Sequence, residues 1–303
     1  VLDYHLHLWP HSDRETPLSL DQIADYCQKA QAVGVEELAL TEHLFRFRQA
    51  DALVGGFWKD DRVPPGLAAS MADYWDFHAT ADLDSYVTLA AEAKDAGLPV
   101  VIGLEVDYYE GRMDEVAGLL AGYPFDVLLG SVHWLGSWRF DDLDDPVSMG
   151  EWSARQVDAC WDTYTEALEE LAASGACDVL AHPDLIKVAG HRPDSPDEWW
   201  DRMAEAAAGA GMAAEVSSAG WRKPAGEQYP AAGLLSRFVA AGVPLTTASD
   251  AHRVVHVADH ADDLRTLLAS VGVDSLQAYA GRAPRQVAIG GGTTGNNSSS
   301  GPA

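Results

Sequence analysis

Residues Leu2–His7 read LDYHLH, a short strand pattern over Leu2–Leu6 that ends in two histidines, His5 and His7. Side chains on a strand alternate with period two, so both imidazoles point to one side. Taken alone the pair says little, but its context recurs along the chain. Further apolar, β-branched strand patterns lie at Glu37–Thr41, Val100–Val106, Asp126–Val132, Val179–Ala181, Ala213–Ser217 and Leu245–Ala248, with a last short one at Gln286–Ile289. Helical patterns separate them at Leu20–Val33, Ser85–Ala96, Ser153–Ala173, Asp197–Ala210 and Leu234–Ala241, each closing at or near a glycine. Glycine after the last turn is a helix stop. Alternating strand and helix predicts an α/β fold with parallel strands and helices outside, as a barrel or as an open sheet.

The polar residues then fall in one place. The second strand ends in Glu42 and His43, the third carries Glu105, and the fourth and fifth end in His133 and His182. The sixth carries Glu215, and the seventh ends in Asp250 and His252. In parallel α/β folds the carboxyl ends of the strands gather on one face, where ligands bind. Independent core histidines have no reason to share one end of every strand. Many imidazoles with two or three carboxylates and no nearby thiolate suit zinc, manganese or iron(II). The side chains outnumber what one ion can use, so two or three divalent ions are expected. Clustered ions bind phosphoryl oxygens and lower the pKa of a water between them.

Composition narrows the function classes. The chain has 303 residues, 47% of them apolar, which is enough to fill a core and excludes a wholly disordered chain. With 20 Lys and Arg against 47 Asp and Glu, the formal charge is −27. That argues against nucleic-acid partners, which need cations to neutralise phosphates, and against an anionic membrane surface. A small anion is not forbidden, because bound cations reverse the sign of a site locally. Cys27, Cys160 and Cys177 are far apart and odd in number, so a reducing, cytoplasmic compartment is expected. No 18-residue apolar run is present, and the N-terminal stretch lacks the basic-then-apolar pattern of a signal peptide. Residues 1–289 read as one domain with an insertion at 44–82, and the Gly/Ser/Asn-rich stretch 290–303 as a flexible tail. The insertion, rich in aromatics, reads either as a cover over the site or as a surface excursion packed by its own rings. The acidic runs Asp141–Asp145 and Asp259–Asp263 read as solvated faces, the first with a lesser claim to a site rim. Trp134, Trp138 and Trp221 read as pocket walls or as core. The oligomeric state is not legible.

The stretches DYHLH, LTEH, GLEVDYY, GSVHW, AHPDL and ASDAH, running in order from Asp3 to His252, resemble the polymerase and histidinol phosphatase (PHP) superfamily of metal-dependent phosphoesterases. The stretch EVSSAGWRKPAGEQYP is similar to its histidinol-phosphatase branch. The resemblance implies a distorted (β/α)7 barrel and a trinuclear site. His5, His7, Glu105 and Asp250 would hold one ion. Glu105 would bridge to a second, held also by His133 and His182. His43 and His252 would hold the third, with a histidine from the loop after the first strand. Here that histidine is His11, only four residues beyond His7 and closer than the family pattern has it, with Asp13 as the substitute.

The implied reaction is hydrolysis of a small phosphomonoester, first of all L-histidinol phosphate, with a nucleotide or sugar phosphate as the alternative. Asp250 or His252 is expected to assist the leaving oxygen. Cations should complete the phosphate cradle, with Arg222 the first choice, Lys187 the second and Arg46 the third. Glu215 is expected either to orient a ligand histidine or to bind the substrate amine. An amidohydrolase barrel is the distant enzyme alternative, but it would place a bridging lysine where His133 stands. A non-catalytic metal-binding module would lack bridging ligands, and Glu105 and Asp250 are both present.

Overall fold

The structure, a computed structural model, describes residues 2–59 and 64–289. In chain order it runs β1 (Leu2–Leu6), α1 (Leu20–Gln31), β2 (Glu37–Leu40), α2 (Arg48–Val54), α3 (Pro65–His78), α4 (Leu83–Asp95), β3 (Val100–Asp107), α5 (Met113–Leu120), β4 (Val127–Ser131), α6 (Pro146–Glu151), α7 (Val157–Ala173), β5 (Val179–Leu180), α8 (Asp197–Ala210), β6 (Ala213–Ser217), α9 (Ala232–Ala240), β7 (Leu245–Ala248), α10 (Ala261–Ser270), β8 (Ser275–Ala280) and β9 (Ala283–Ala288). Strands β1 to β7 pair in sequence order, every pair parallel. The sheet nearly closes, because β1 meets β7 through single bonds at their carboxyl ends. Asp250 N–H donates to the His5 carbonyl at 2.8 Å and His7 N–H to that of Ala251 at 2.7 Å. The fold is a distorted (β/α)7 barrel.

A parallel strand covered on both faces is mostly apolar on both, and β3 is buried at every position, with Glu105 and Asp107 as the polar exceptions at its carboxyl end. Each fully buried Val or Leu there stabilises the fold by roughly 1.5–3 kcal/mol. Gly103 is required by the sheet itself: a Cβ there would lie 2.8 Å from Thr41 Cγ2 and 2.9 Å from the Leu40 carbonyl oxygen. Local signals set the helix ends. The Ser19 and Asp82 side chains accept from Gln22 N–H at 3.2 Å and Ser85 N–H at 2.9 Å, capping α1 and α4. Gly211 ends α8 at φ 68°, which lets Met212 N–H reach back to the Ala207 carbonyl at 3.0 Å.

The last strand expected from sequence, Gln286–Ile289, belongs to β9, which does not join the barrel. It pairs antiparallel with the unanticipated β8. This hairpin covers the amino-terminal mouth: Tyr279 N–H donates to Tyr4 Oη at 3.2 Å, and Gly281 N–H to Asp126 at 2.9 Å. The far mouth is left for the site.

The described residues of insertion 44–82 are largely helical, and they pack by their aromatics onto the ends of β3 and β4. Phe57 lies 5.2 Å from both Tyr109 and Trp134 between ring centroids, and Trp58 lies 5.2 Å from Trp75. Phe45 stacks on His43 at 4.7 Å, so the insertion buttresses a site histidine from behind. Trp134 and Trp138 are core. Asp141–Asp145 is not simply a solvated run, because Arg139 pairs with Asp142 and Asp145, and Asp145 caps α6. Asp259–Asp263 leads into α10, with Asp262 and Asp263 exposed. All three cysteines are free and buried. Among the described residues no helix is long and apolar enough to cross a membrane. The tail 290–303 lies outside the described residues.

Candidate metal centre

Glu105 is the hub. Its Oε2 lies 3.1 Å from His5 Nε2, 3.4 Å from His7 Nε2 and 2.7 Å from His43 Nδ1. Its Oε1 lies 3.3 Å from His133 Nε2 and 3.0 Å from His182 Nε2. Asp250 Oδ1 sits 3.5 Å from His7 Nε2, 3.9 Å from His5 Nε2 and 3.5 Å from His252 Nδ1. His11, on the exposed loop after β1, stacks its ring on His252 at 3.7 Å. The nine side chains named from sequence therefore meet at one end of the barrel.

Five imidazoles around one carboxylate, in a space nearly closed to water, is an unstable arrangement without cations. Protonating all of them would bury several like charges, and leaving them neutral sets lone pairs against one another. His5 Nε2 and His7 Nε2 face each other at 3.1 Å. His43 Nδ1 and Nε2, His182 Nδ1, His252 Nε2 and Glu105 Oε2 are buried without a hydrogen-bond partner. Four sets of three donors converge within 4.8 Å: His7, His43 and His252; His5, Glu105 and His182; His5, His7 and Asp250; and His43, Asp107 and His133. Nitrogen and carboxylate donors in overlapping triads, some of them orphaned, fit more than one transition-metal ion.

The electrostatics agree with that fit. Burial works to raise Glu105, yet His5 foremost, with His133 and the hydrogen bond from His182, holds it well below the usual carboxylate range. Burial likewise opposes Asp250, which His5 and His7 nonetheless keep ionised. Burial, with the positive charge of neighbouring histidines, pushes His43 and His252 well down and favours the neutral imidazole, the form that binds metal.

A second ring of carboxylates aims the histidines. Glu215 Oε2 lies 2.7 Å from His5 Nδ1, and Asp107 Oδ1 lies 2.6 Å from His133 Nδ1. Such partners fix the tautomer and turn the other nitrogen toward the metal. Of the two roles expected for Glu215, the geometry places it against His5. Glu42 accepts from Leu8 and Trp9 N–H and lies 3.6 Å from His7 Nδ1. Asp3 holds the β7 loop by accepting from Ser249 N–H and Oγ–H, both at 2.7 Å, and from Ala258 N–H at 2.8 Å. That support is needed, because His182 and Asp250 sit at φ 26° and 49°, where a non-glycine residue is strained. Sequence reading marked Glu42 only as a strand-end acid and passed over Asp107 and Asp3, although Asp107 is two residues from Glu105 and Asp3 two from His5, on the same strand faces.

The three expected phosphate cations are committed elsewhere. Arg222 donates to the Ser249 carbonyl at 2.6 Å and the Asp250 carbonyl at 3.3 Å, and pairs with Asp259 at 3.3 Å. It braces the Asp250 loop. Lys187 is buried between Asp184 at 2.8 Å, Glu227 at 3.1 Å and the Gln228 carbonyl at 2.9 Å. Its three protons are used. Arg46 is buried against Glu15 at 2.8 Å and the Pro10 carbonyl at 3.2 Å. Lys223, beside Arg222, is the cation that lines the pocket over the histidines, together with Asp141, Tyr229 and the apolar Leu185, Val188 and Ala219. Counting its open mouth, the space between these residues is about 360 Å³.

The family model of the PHP domain matches residues 5–219. The chain belongs to the PHP domain family. It is 31% identical over 258 residues to a probable histidinol-phosphatase of Deinococcus radiodurans, covering 84% of this chain and 86% of that one. Its fold is similar to that of a histidinol phosphate phosphatase from Lactococcus lactis, solved with zinc, L-histidinol and phosphate. The TM-score is 0.63 at 20% identity, over 94% and 98% of the two chains. A putative histidinol phosphatase from Listeria monocytogenes superposes with TM-score 0.68 at 19% identity, over 87% and 99%. In this PHP chain the histidine and carboxylate cluster spans the matched region and continues beyond it to Asp250 and His252, just after β7.

Proposed function

We propose that this PHP-family protein is a phosphoric monoester hydrolase that converts L-histidinol phosphate and water to L-histidinol and phosphate, a step of histidine biosynthesis. The observation that carries the reading is the Glu105-centred histidine cluster, opening on a small pocket that holds an unpaired lysine. The Deinococcus relative, similar over most of both chains, supports the substrate.

The residues that would hold the ions are His5, His7, Glu105 and Asp250; Glu105, His133 and His182; and His43, His252 and His11. Two or three ions are proposed, zinc first, with manganese and iron(II) compatible with the same donors. When bound, such ions polarise phosphoryl oxygens and lower the pKa of coordinated water. The chain's own contribution is positional. Glu105 and Asp250 keep the cluster together in ionised form. Glu215 and Asp107 hold His5 and His133 in the tautomers that present Nε2. Lys223 meets the substrate phosphate. Arg222 and Asp3 hold the loop that carries Asp250 and His252 beside the leaving oxygen. In the reaction a water oxygen bonds to phosphorus, the phosphorus–alcohol bond breaks, and the alkoxide takes a proton.

The test is phosphate release by zinc-loaded protein from L-histidinol phosphate beside nucleotide and sugar phosphates. A preference of about a hundredfold, some 2.7 kcal/mol in transition-state binding, is expected for histidinol phosphate. Asp250→Asn and His133→Ala should nearly abolish turnover while the chain stays folded. Full rates in both variants, with metal content measured, would remove the assignment.

A further inference from the structure

One charged group in the pocket makes no direct bond to the rest of the site. Asp141 lines the cavity, yet its carboxylate makes no hydrogen bond or ion pair among the described residues. Its neighbours in the acidic run are all engaged or exposed: Asp142 and Asp145 pair with Arg139, and Asp144 faces solvent. Lys223, on the same pocket, is equally without an ion-pair partner among the described residues. Leaving a part-buried carboxylate unpaired is costly unless a ligand completes it.

The sign of the charge decides which end of a substrate it meets. A carboxylate repels a phosphoryl group, so Asp141 cannot belong to the cradle formed by Lys223 and the histidines. It is suited to a cation on the other end of the same molecule. Leu185, Val188 and Ala219 line the same pocket and offer the substrate an apolar wall. We propose that Asp141 is the specificity residue for the leaving group, receiving the ammonium of an amino-alcohol phosphate while the phosphoryl end lies at Lys223 and the histidine cluster. This rests on the phosphatase reading above and narrows it. Esters of cationic amino alcohols are the substrate class, and esters of neutral or acidic alcohols are discriminated against.

The experiment compares metal-loaded wild type, Asp141→Asn and Asp141→Glu on L-histidinol phosphate and glycerol phosphate, with L-histidinol binding measured by calorimetry. Asp141→Asn should lower the ratio of kcat/KM for histidinol phosphate over glycerol phosphate by a factor of about 10 to 100, the range for losing one hydrogen bond between charged groups. The loss should fall on KM, L-histidinol should bind more weakly by a similar factor, and Asp141→Glu should recover part of both. Equal losses on the two esters would mean that Asp141 acts at the leaving oxygen or merely holds the pocket, and would overturn the proposal. An unaltered ratio would overturn it too. If wild type hydrolyses neither ester, the phosphatase reading fails first, a result visible before any substitution is made.

Discussion

Replacing Glu215 tests whether the outer carboxylates organise the metal centre. Glu215 Oε2 and His5 Nδ1 are 2.7 Å apart, and neither side chain reaches solvent. With the proton on Nδ1, the Nε2 lone pair points at Glu105, 3.1 Å away, and is free for an ion. Glu215→Gln keeps the shape and one acceptor but removes the charge. A hydrogen bond to a charged group contributes about 1.5–3 kcal/mol and a neutral one about 1 kcal/mol. The difference of about 0.5–2 kcal/mol predicts zinc binding weaker by about 2- to 30-fold. Glu215→Ala removes the acceptor altogether and should reach the upper end of the 10–100-fold range typical of such partners. Chelator competition gives the affinity, elemental analysis the stoichiometry, and circular dichroism the fold. If the alanine variant stays folded and binds zinc as wild type does, His5 is not oriented by Glu215 and the two-ring description of the site is wrong.

Stripping metal with a chelator should abolish phosphate release and lower Tm by several degrees, because the imidazoles around Glu105 lose the cations that only the native state assembles; calorimetry with and without zinc checks this. Lys223→Met should lower kcat/KM by about 10–100-fold with a raised KM for phosphate esters, the size expected for a lost charged hydrogen bond. Arg222→Met should instead act mainly on kcat, since Arg222 grips the Ser249 and Asp250 carbonyls; steady-state kinetics on both variants separates the roles. His11→Ala should lose at most one ion per chain and less activity than His43→Ala, because His11 stands on an exposed loop whereas His43 is buried 2.7 Å from Glu105; elemental analysis of the two variants decides it.

The ligand constellation was legible because topology does the work. Seven strands of one direction bring residues far apart in sequence to one rim, so a histidine or acid after each strand needs no tertiary information to be placed. The supporting acids were encoded as plainly. Asp3, His5 and His7 share one strand face, as do Glu105 and Asp107. Extending the period-two argument by one period, two residues, back from His5 and forward from Glu105 would have named Asp3 and Asp107. The cations were not legible in that way. Arg222 ends a 3-10 turn and Lys223 follows it directly, and nothing local says which of them turns inward. Lys187 carried a warning in Asp184, three residues before it, which takes its charge. Short helices such as α5 and α6, and α10 behind its acidic start, were missed because few turns leave little periodicity to read.

The same contrast explains how a chain of net charge −27 can receive a phosphate. Its acids are not spread at random through the site. Glu105 and Asp250 face the imidazoles, Glu215 and Asp107 stand behind them, and Asp184 neutralises a buried lysine. Each of these carboxylates is matched to a cation or a metal-binding nitrogen, so none is left to repel the phosphoryl group. Asp141 is the pocket carboxylate outside this scheme, which makes it the group most able to sense what the phosphate is attached to. The field of the whole protein sets its solubility, while the pairing of individual acids sets its chemistry. A substitution that unpairs one of them, such as Lys187→Met freeing Asp184 beneath the pocket, should therefore harm stability by roughly 3–5 kcal/mol, as removing one partner of a buried pair does. Reversal of that order, with a stable chain that has lost only phosphate affinity, would show that Lys187 serves the substrate after all.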